Sequence, residues 1–586
     1  MTIDPLQKNK STLPGAGAQM HDQARTRLIM IMMVLMMGYL AISLRLIDLT
    51  MLRHPGSVET LARLGEASGV ARAGKEAVGP SGKMGRGSIV DRNGTLIAAS
   101  LKTASVYADT TMVDRPSELA KQLAAIMPEQ NYQDLLHKLG SGKSFVWIQR
   151  NITPKQEYAI NALGNPALGF QKENRRFYPH ASLTAHIVGY TDLDGKGIAG
   201  IEKTFDRQLA ETGAPVALTI DLRVQHILRR ELEKAVTKFR ARGGIGMVME
   251  VNTGEIIAMV SLPDFDPNQV AAASDQQKFN SATLGVFEMG STFKLFSTAA
   301  ALDSGLVHFA DTFDATAPIK IGRFTISDFH PRHRPLTVPE IFIYSSNIGT
   351  AKMAAVLGNE KMSNFYRSLG FMERAKVELP ERGMPLYPSP WRDISTLTTS
   401  FGHGIAISPL HLMRAAAALV NGGIMPRSTL IKAEEYPAGE RVLSAATSRQ
   451  LRQLLELVVV NGTGNNAYVE GYNVGGKTGT AEKNIRGNYE HNALLSSFLG
   501  IFPIGEPRYA VLAILDEPQA TKDTSGYATG GWTAAPVVAR VIEQVGPLYQ
   551  IPPDLERTRN DIGHEMGIYL KELKEGNTLA ALGTDR

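Results

Sequence analysis

The chain has 586 residues, 43% hydrophobic and 20% charged, a globular balance with room for two or three domains that excludes a mainly disordered protein. Its net charge of +5 is spread over dispersed lysines and arginines, with no basic block interleaved with aromatics, which argues against nucleic-acid binding. Having no cysteine, it has no disulfides, no thiolate metal site and no cysteine nucleophile.

Residues 1–27 are polar and carry Lys8, Lys10, Arg25 and Arg27 ahead of an apolar run over 28–44 that resumes beyond Arg45. With Arg45 snorkelling, about 20 residues suffice to span a bilayer core, so a retained transmembrane helix is expected over 28–47 rather than a cleaved signal peptide. The upstream cations are expected to place 1–27 in the cytoplasm and the remainder outside it, in a single-pass membrane protein. Residues 48–85, rich in small residues towards their end, are expected to form a stalk. At 86–97 an apolar strand, the Asn93-Gly94 turn and a second strand signal a hairpin. It opens a mixed α/β pedestal over 86–215 that serves as a spacer or interaction module and bears no chemical signature.

A second domain is expected over 216–550. Asp221 caps a helix carrying Leu222, Gln225, Leu228, Leu232 and Val236, and strands at 246–250 and 255–261 flank Asn252-Thr253-Gly254. Helical patterns follow around 291–304, 339–357, 361–370, 409–421 and 448–461, and strands return at 476–482, 496–502 and 509–515. Five strands drawn from both ends of the domain, with helices between, predict an α+β fold around an antiparallel sheet closed by its late strands. Residues 551–586 read as a polar tail with a weak amphipathic helix near 562–573.

The chemistry concentrates at Ser291-Thr292-Phe293-Lys294, where a serine and a lysine three residues apart share a helix face at the start of an apolar run. A lysine kept neutral by burial can take the hydroxyl proton of such a serine. Ser345-Ser346-Asn347 is a second polar group between apolar segments. Ser345 can relay a proton to a leaving amine, and the Asn347 amide can donate to a substrate carbonyl and hold Lys294. The third is Lys477-Thr478-Gly479-Thr480 on a glycine-flanked strand. There Lys477 offers charge to a substrate carboxylate, Thr478 and Thr480 offer hydroxyls, and the Thr480 and Ser291 N–H groups can form an oxyanion hole. Gly471 with Gly476-Lys477-Thr478 meets the spacing of a phosphate-binding loop, but these residues are read as lying on a strand, whereas that loop requires a turn leading into a helix. Asp328, His330 and His333 are metal-ligand types in a proline-flanked loop and are read as no metal site. His403, between Gly402 and Gly404, is read as shaping a wall of the site, while Tyr527 and Trp532 either line the cleft or close the core.

Ser-x-x-Lys, Ser-x-Asn and Lys-Thr-Gly in this order resemble the serine acyltransferase signature of penicillin-binding proteins and β-lactamases. Together with the anchor and the 86–94 stretch, they are similar to class B penicillin-binding proteins. Residues 459–464, 516–518 and 527–537 resemble the cell-division, FtsI-like branch more than the elongation branch. The resemblance implies a penicillin-binding transpeptidase domain that cross-links peptidoglycan stem peptides, built from lipid II-derived glycan, through an acyl-enzyme on Ser291, without metal or cofactor. β-Lactams would be its inhibitors. It further implies an FtsW-type polymerase on the transmembrane helix and small divisome membrane proteins on the pedestal. An elongation-type transpeptidase, a D,D-carboxypeptidase, and a non-catalytic scaffold or β-lactam sensor are the alternatives.

Overall fold

Asp91 makes the first turn: its carboxylate accepts from the N–H groups of Asn93 and Thr95, each at 2.8 Å, closing a hairpin between β1 (Ile89–Val90) and β2 (Leu96–Ala108). The computed structural model to which this belongs describes residues 85–556 apart from 323 and 486–487, together with 32, 33, 36, 559, 561 and 571. The expected cytoplasmic tail and nearly all of the transmembrane helix, the stalk and the helix near 562–573 therefore lie outside the described residues. Among the described residues no helix is long and apolar enough to cross a membrane. Residues 84–586 form one unit, distinct from residues 1–83.

In the pedestal β2 is flanked by β3 (Val146–Ile152) and β4 (Leu168–Phe177), both antiparallel to it. The helices Pro116–Ile126 and Tyr132–Leu139 cover this sheet, packing Leu119, Leu123, Leu135 and Leu139 with Val106 and Ile148. At its base the fully buried Glu202 accepts from Arg86 at 2.7 Å and from Arg176 at 2.6 Å, so the buried carboxylate is doubly paired. The short strand β5 (Val216–Ala217) runs parallel to β1. Val216, expected to open the second domain, thus completes the pedestal's sheet. Ile89, Ile97 and Ile187 share one apolar cluster with Met247 and Leu295, so pedestal base and catalytic domain are built on common packing.

The second region is organised by a five-stranded antiparallel sheet. In chain order its strands are β6 (Gly243–Glu250), β7 (Ile256–Leu262), β8 (Gly475–Ile485), β9 (Asn488–Phe502) and β10 (Tyr509–Asp516), and in space the order is β8-β9-β10-β6-β7. Both faces are apolar along β6, β7 and β10, whose sequences are largely hydrophobic. Val248, Phe498, Val511 and Ala513 face the N-terminal helix α1 (Leu222–Lys238) and a C-terminal helix over Ala535–Leu548. Met247, Leu499, Leu512 and Ile514 face the helical lobe.

Within that lobe, the single-turn segment Gly290–Thr292 leads into α2 (Phe293–Asp303), which is buried along ten of its eleven residues. The helical pattern expected over 339–357 is broken in the structure. Helix α3 (Val338–Tyr344), started by a Thr337/Glu340 capping box, stops at Ser345, which is left-handed at φ 57° and ψ 44°. Ser346 then caps α4 (Asn347–Ser368), whose backbone leaves the helical conformation at Gly358 (φ 78°, ψ 174°), so the separate helix expected from 361 follows a break. Two polar residues able to hydrogen-bond locally end one helix and begin the next, so a continuous apolar pattern did not make a continuous helix.

Candidate active site

Ser291, Lys294, Ser345 and Lys477 come together from α2, the α3–α4 junction and the edge strand β8. Lys294 Nζ lies 3.1 Å from Ser291 Oγ and 3.1 Å from Ser345 Oγ, and also donates to the Ser345 carbonyl. Lys477 Nζ lies 3.1 Å from the same Ser345 Oγ. The hydroxyl of Ser345 therefore bridges two lysine amines, in a continuous line from the Ser291 hydroxyl to Lys477. The left-handed backbone at Ser345 turns both its carbonyl and its hydroxyl towards Lys294, a conformation uncommon outside glycine that is tolerated where the surroundings fix it.

Both amines are cut off from water, Lys294 at 1% exposure and Lys477 at 0%. Burial pushes Lys294 well below the ordinary lysine range, the charge of Lys477 pushes it further, and Asp328 opposes both. Burial alone brings Lys477 down to about 7.

Lys477, expected to offer charge to a substrate carboxylate, has its ammonium buried over the Phe342 ring and bound to Ser345 and the Thr478 carbonyl. Asn347, expected to hold Lys294, donates its amide to the Ser327 carbonyl at 2.9 Å, while the hydrogen bonds of Lys294 go to Ser291 and Ser345. The two threonine hydroxyls tie the strand to its neighbours. Thr478 Oγ1 lies 2.7 Å from Thr463 Oγ1, and Thr480 Oγ1 accepts from the Gly530 N–H at 3.2 Å.

Backbone packs directly on backbone around the nucleophile. A Cβ on Gly290 would lie 2.4 Å from the Thr480 carbonyl oxygen, and one on Gly402 would lie 2.2 Å from that of Gly290. Gly479 likewise fits against Ser497 and the Met289 carbonyl. The Gly402→Ala protein should lose about 3 kcal/mol of stability, because Ala would clash with main chain and must also adopt φ 86°. A thermal midpoint within a degree of wild type would show that the loop moves away at no cost.

Asp328 accepts from Ser346 Oγ at 2.7 Å and from the Ile348 N–H at 2.9 Å, holding the start of α4. Its loop neighbour His330 meets Phe329 edge-on, and His333 meets the Thr316 carbonyl. Among the described residues no group of three metal-ligating side chains is assembled. His403 is kept below its usual range by burial and then by the charge of Lys294, which disfavours its protonated form. Tyr527 and Trp532 stack at 6.2 Å with planes 10° apart, both part-exposed, on the loop whose Gly530 binds Thr480. Sequence reasoning missed the side chain of Glu288, which precedes the nucleophile. Its partners, Gly404 and Tyr489, lie 116 and 201 residues away.

Comparison with known proteins adds an independent line. Residues 244–543 match the family model described as penicillin binding protein transpeptidase domain, and residues 82–217 match the penicillin-binding protein dimerisation domain. The chain is 39% identical over 548 residues to "Probable peptidoglycan D,D-transpeptidase FtsI" of Caulobacter vibrioides, covering 91% of this chain and 90% of that one. It is 30% identical over 508 residues to "Peptidoglycan D,D-transpeptidase FtsI" of Escherichia coli K12, covering 80% and 84%. Among solved structures it is similar to penicillin binding protein 3 of Mycobacterium tuberculosis complexed with aztreonam. That likeness has a TM-score of 0.64 and 26% identity, and covers 80% of this chain and 97% of that one.

Proposed function

This chain belongs to the penicillin-binding protein transpeptidase family, and from that premise we infer that it is a serine-type peptidoglycan D,D-transpeptidase acting through an acyl-enzyme on Ser291. The reading is carried by one observation, the buried line Ser291–Lys294–Ser345–Lys477. Neutral Lys294 takes the Ser291 proton as Oγ attacks the penultimate D-Ala carbonyl of a stem peptide. The developing oxyanion is held by the N–H groups of Ser291 and Thr480. As the peptide bond breaks, the proton on Lys294 passes through Ser345 to the departing D-Ala amine. A side-chain amine of a second stem peptide then attacks the ester, its proton returns along the same line, and Ser291 is regenerated with the cross-link made.

Lys477 contributes through the field it sets at Ser345 and Lys294, and Asn347 holds the Ser327 loop beside them. The outer edge of β8, which among the described strands pairs only with β9, can take an extended donor peptide as an added strand. The likeness to FtsI-named relatives supports septal wall synthesis by a protein anchored through 28–47, with an FtsW-type polymerase and small division proteins as partners of the helix and pedestal. It favours this over an elongation role.

The test is intact mass of the full-length protein after a penicillin is added. A single adduct that maps to Ser291, lasts for hours and is absent from Ser291→Ala is the expected result. Adduct on another residue, or turnover within seconds, would overturn it.

A further inference from the structure

Glu288 takes part in none of these steps, yet it joins both the loop at Gly404 and the β8–β9 hairpin to the segment that carries the nucleophile. One carboxylate oxygen accepts from the Gly404 N–H at 2.9 Å, and both lie 3.1 Å from the Tyr489 hydroxyl, which donates to them. Gly404 ends the loop whose Gly402 packs on Gly290. Tyr489 belongs to β9, near the outer end of the hairpin that continues the Lys477 strand. Its ring sits 5.5 Å from His403, which in turn lies 5.2 Å from Phe401.

The hairpin needs such an anchor. The pairing of β8 with β9 slips between Glu482 and Lys483, so the outer pairs, Lys483 with Glu490 and Asn484 with Tyr489, are in a different register from the strand bearing Lys477. A bulge of this kind bends the outer ladder away from the line of the inner one. Lys483 is held at the bulge by Asp516 and Glu517, each at 2.8 Å. Beyond it, the Tyr489 hydroxyl reaches back to Glu288, three residues before Ser291.

We propose that Glu288 and Tyr489 are positioning residues for acylation: their hydrogen bond latches the outer hairpin to the nucleophile's own segment and fixes the wall against which the acyl donor is held. The inference rests on the acyl-enzyme reading above. It assigns the latch a share of donor binding and none of the proton transfers.

The experiment measures acylation by a fluorescent penicillin over a concentration series, giving a limiting rate and a half-saturating concentration, with the thermal midpoint of each protein alongside. Tyr489→Phe, which keeps the ring against His403 and removes only the hydroxyl, should raise the half-saturating concentration about tenfold at an unchanged limiting rate. Glu288→Ala should do the same, whereas Glu288→Gln, whose carbonyl still accepts both bonds, should stay within about threefold of wild type. The double variant Tyr489→Phe/Glu288→Ala should be no weaker than Glu288→Ala, since the two act through one bond. Wild-type kinetics in Tyr489→Phe, additive losses in the double variant, or equal losses in Glu288→Gln and Glu288→Ala would each overturn the latch while leaving the Ser291 adduct intact. Failure of the wild-type protein to form that adduct would overturn the acyl-enzyme reading and the latch together.

Discussion

Replacing Lys294 by Met should slow acylation of Ser291 by about 10³-fold or more while leaving the protein folded, because it removes the base and keeps the unbranched stem that fills its place. The pH dependence of the wild type carries the same information. Acylation needs the neutral amine, so the rate should rise with pH through the Lys294 transition and level off above it. That midpoint lies well below the ordinary lysine range because burial and the charge of Lys477 outweigh Asp328. A stopped-flow profile of the acylation rate against pH checks it. A rate still climbing at the ordinary lysine value of 10.5 would show that Lys294 is not the base.

Lys477→Met should separate stability from activity. In the folded protein this lysine titrates at about 7 instead of 10.5, so between those values the unfolded chain binds the proton that the folded one refuses. Stability therefore rises with pH across that window, and the penalty for burying the lysine is felt in full below about 7. Met removes the penalty, so the variant should gain roughly 1–4 kcal/mol near neutrality, with the advantage fading towards pH 10.5. Acylation should fall by about 10²-fold, and its rising limb should move to higher pH because Lys294 loses the neighbouring charge that depresses it. Thermal melts and acylation rates at several pH values test both halves. A less stable variant, or a rising limb that stays in place, would contradict the arrangement described.

The identities of the reacting groups were legible in the sequence because each lies in a short local pattern: a serine and lysine on one helical face, a polar triplet between apolar runs, and a glycine-flanked strand. Their roles were less so, since these depend on distance and burial set by other parts of the chain. Nothing near Lys477 indicates that it is buried, because what covers it is Phe342 and Ser345, more than 130 residues earlier. The Asn347 amide was expected to hold Lys294, but a loop residue, Ser327, takes it. Glu288 stood beside the nucleophile with no visible partner until the β8–β9 hairpin was in place. The break at Ser345 was hidden by an apolar pattern that runs on either side of it, because periodicity reports which residues are buried and not where the backbone reverses.

The glycines that press main chain against main chain at Ser291 also bear on how this protein can change over generations. Gly290, Gly402, Gly479 and Gly530 each face a carbonyl or hydroxyl oxygen closer than a methyl group could approach, so selection has no side chain there to exchange for another. Heritable variation that discriminates between a natural donor and a drug must therefore arise at the rim, in residues such as Tyr489 and Trp532 whose side chains reach solvent. Escape from an acylating inhibitor would come from altering how the mouth admits its guest, with the floor of the site left as it is.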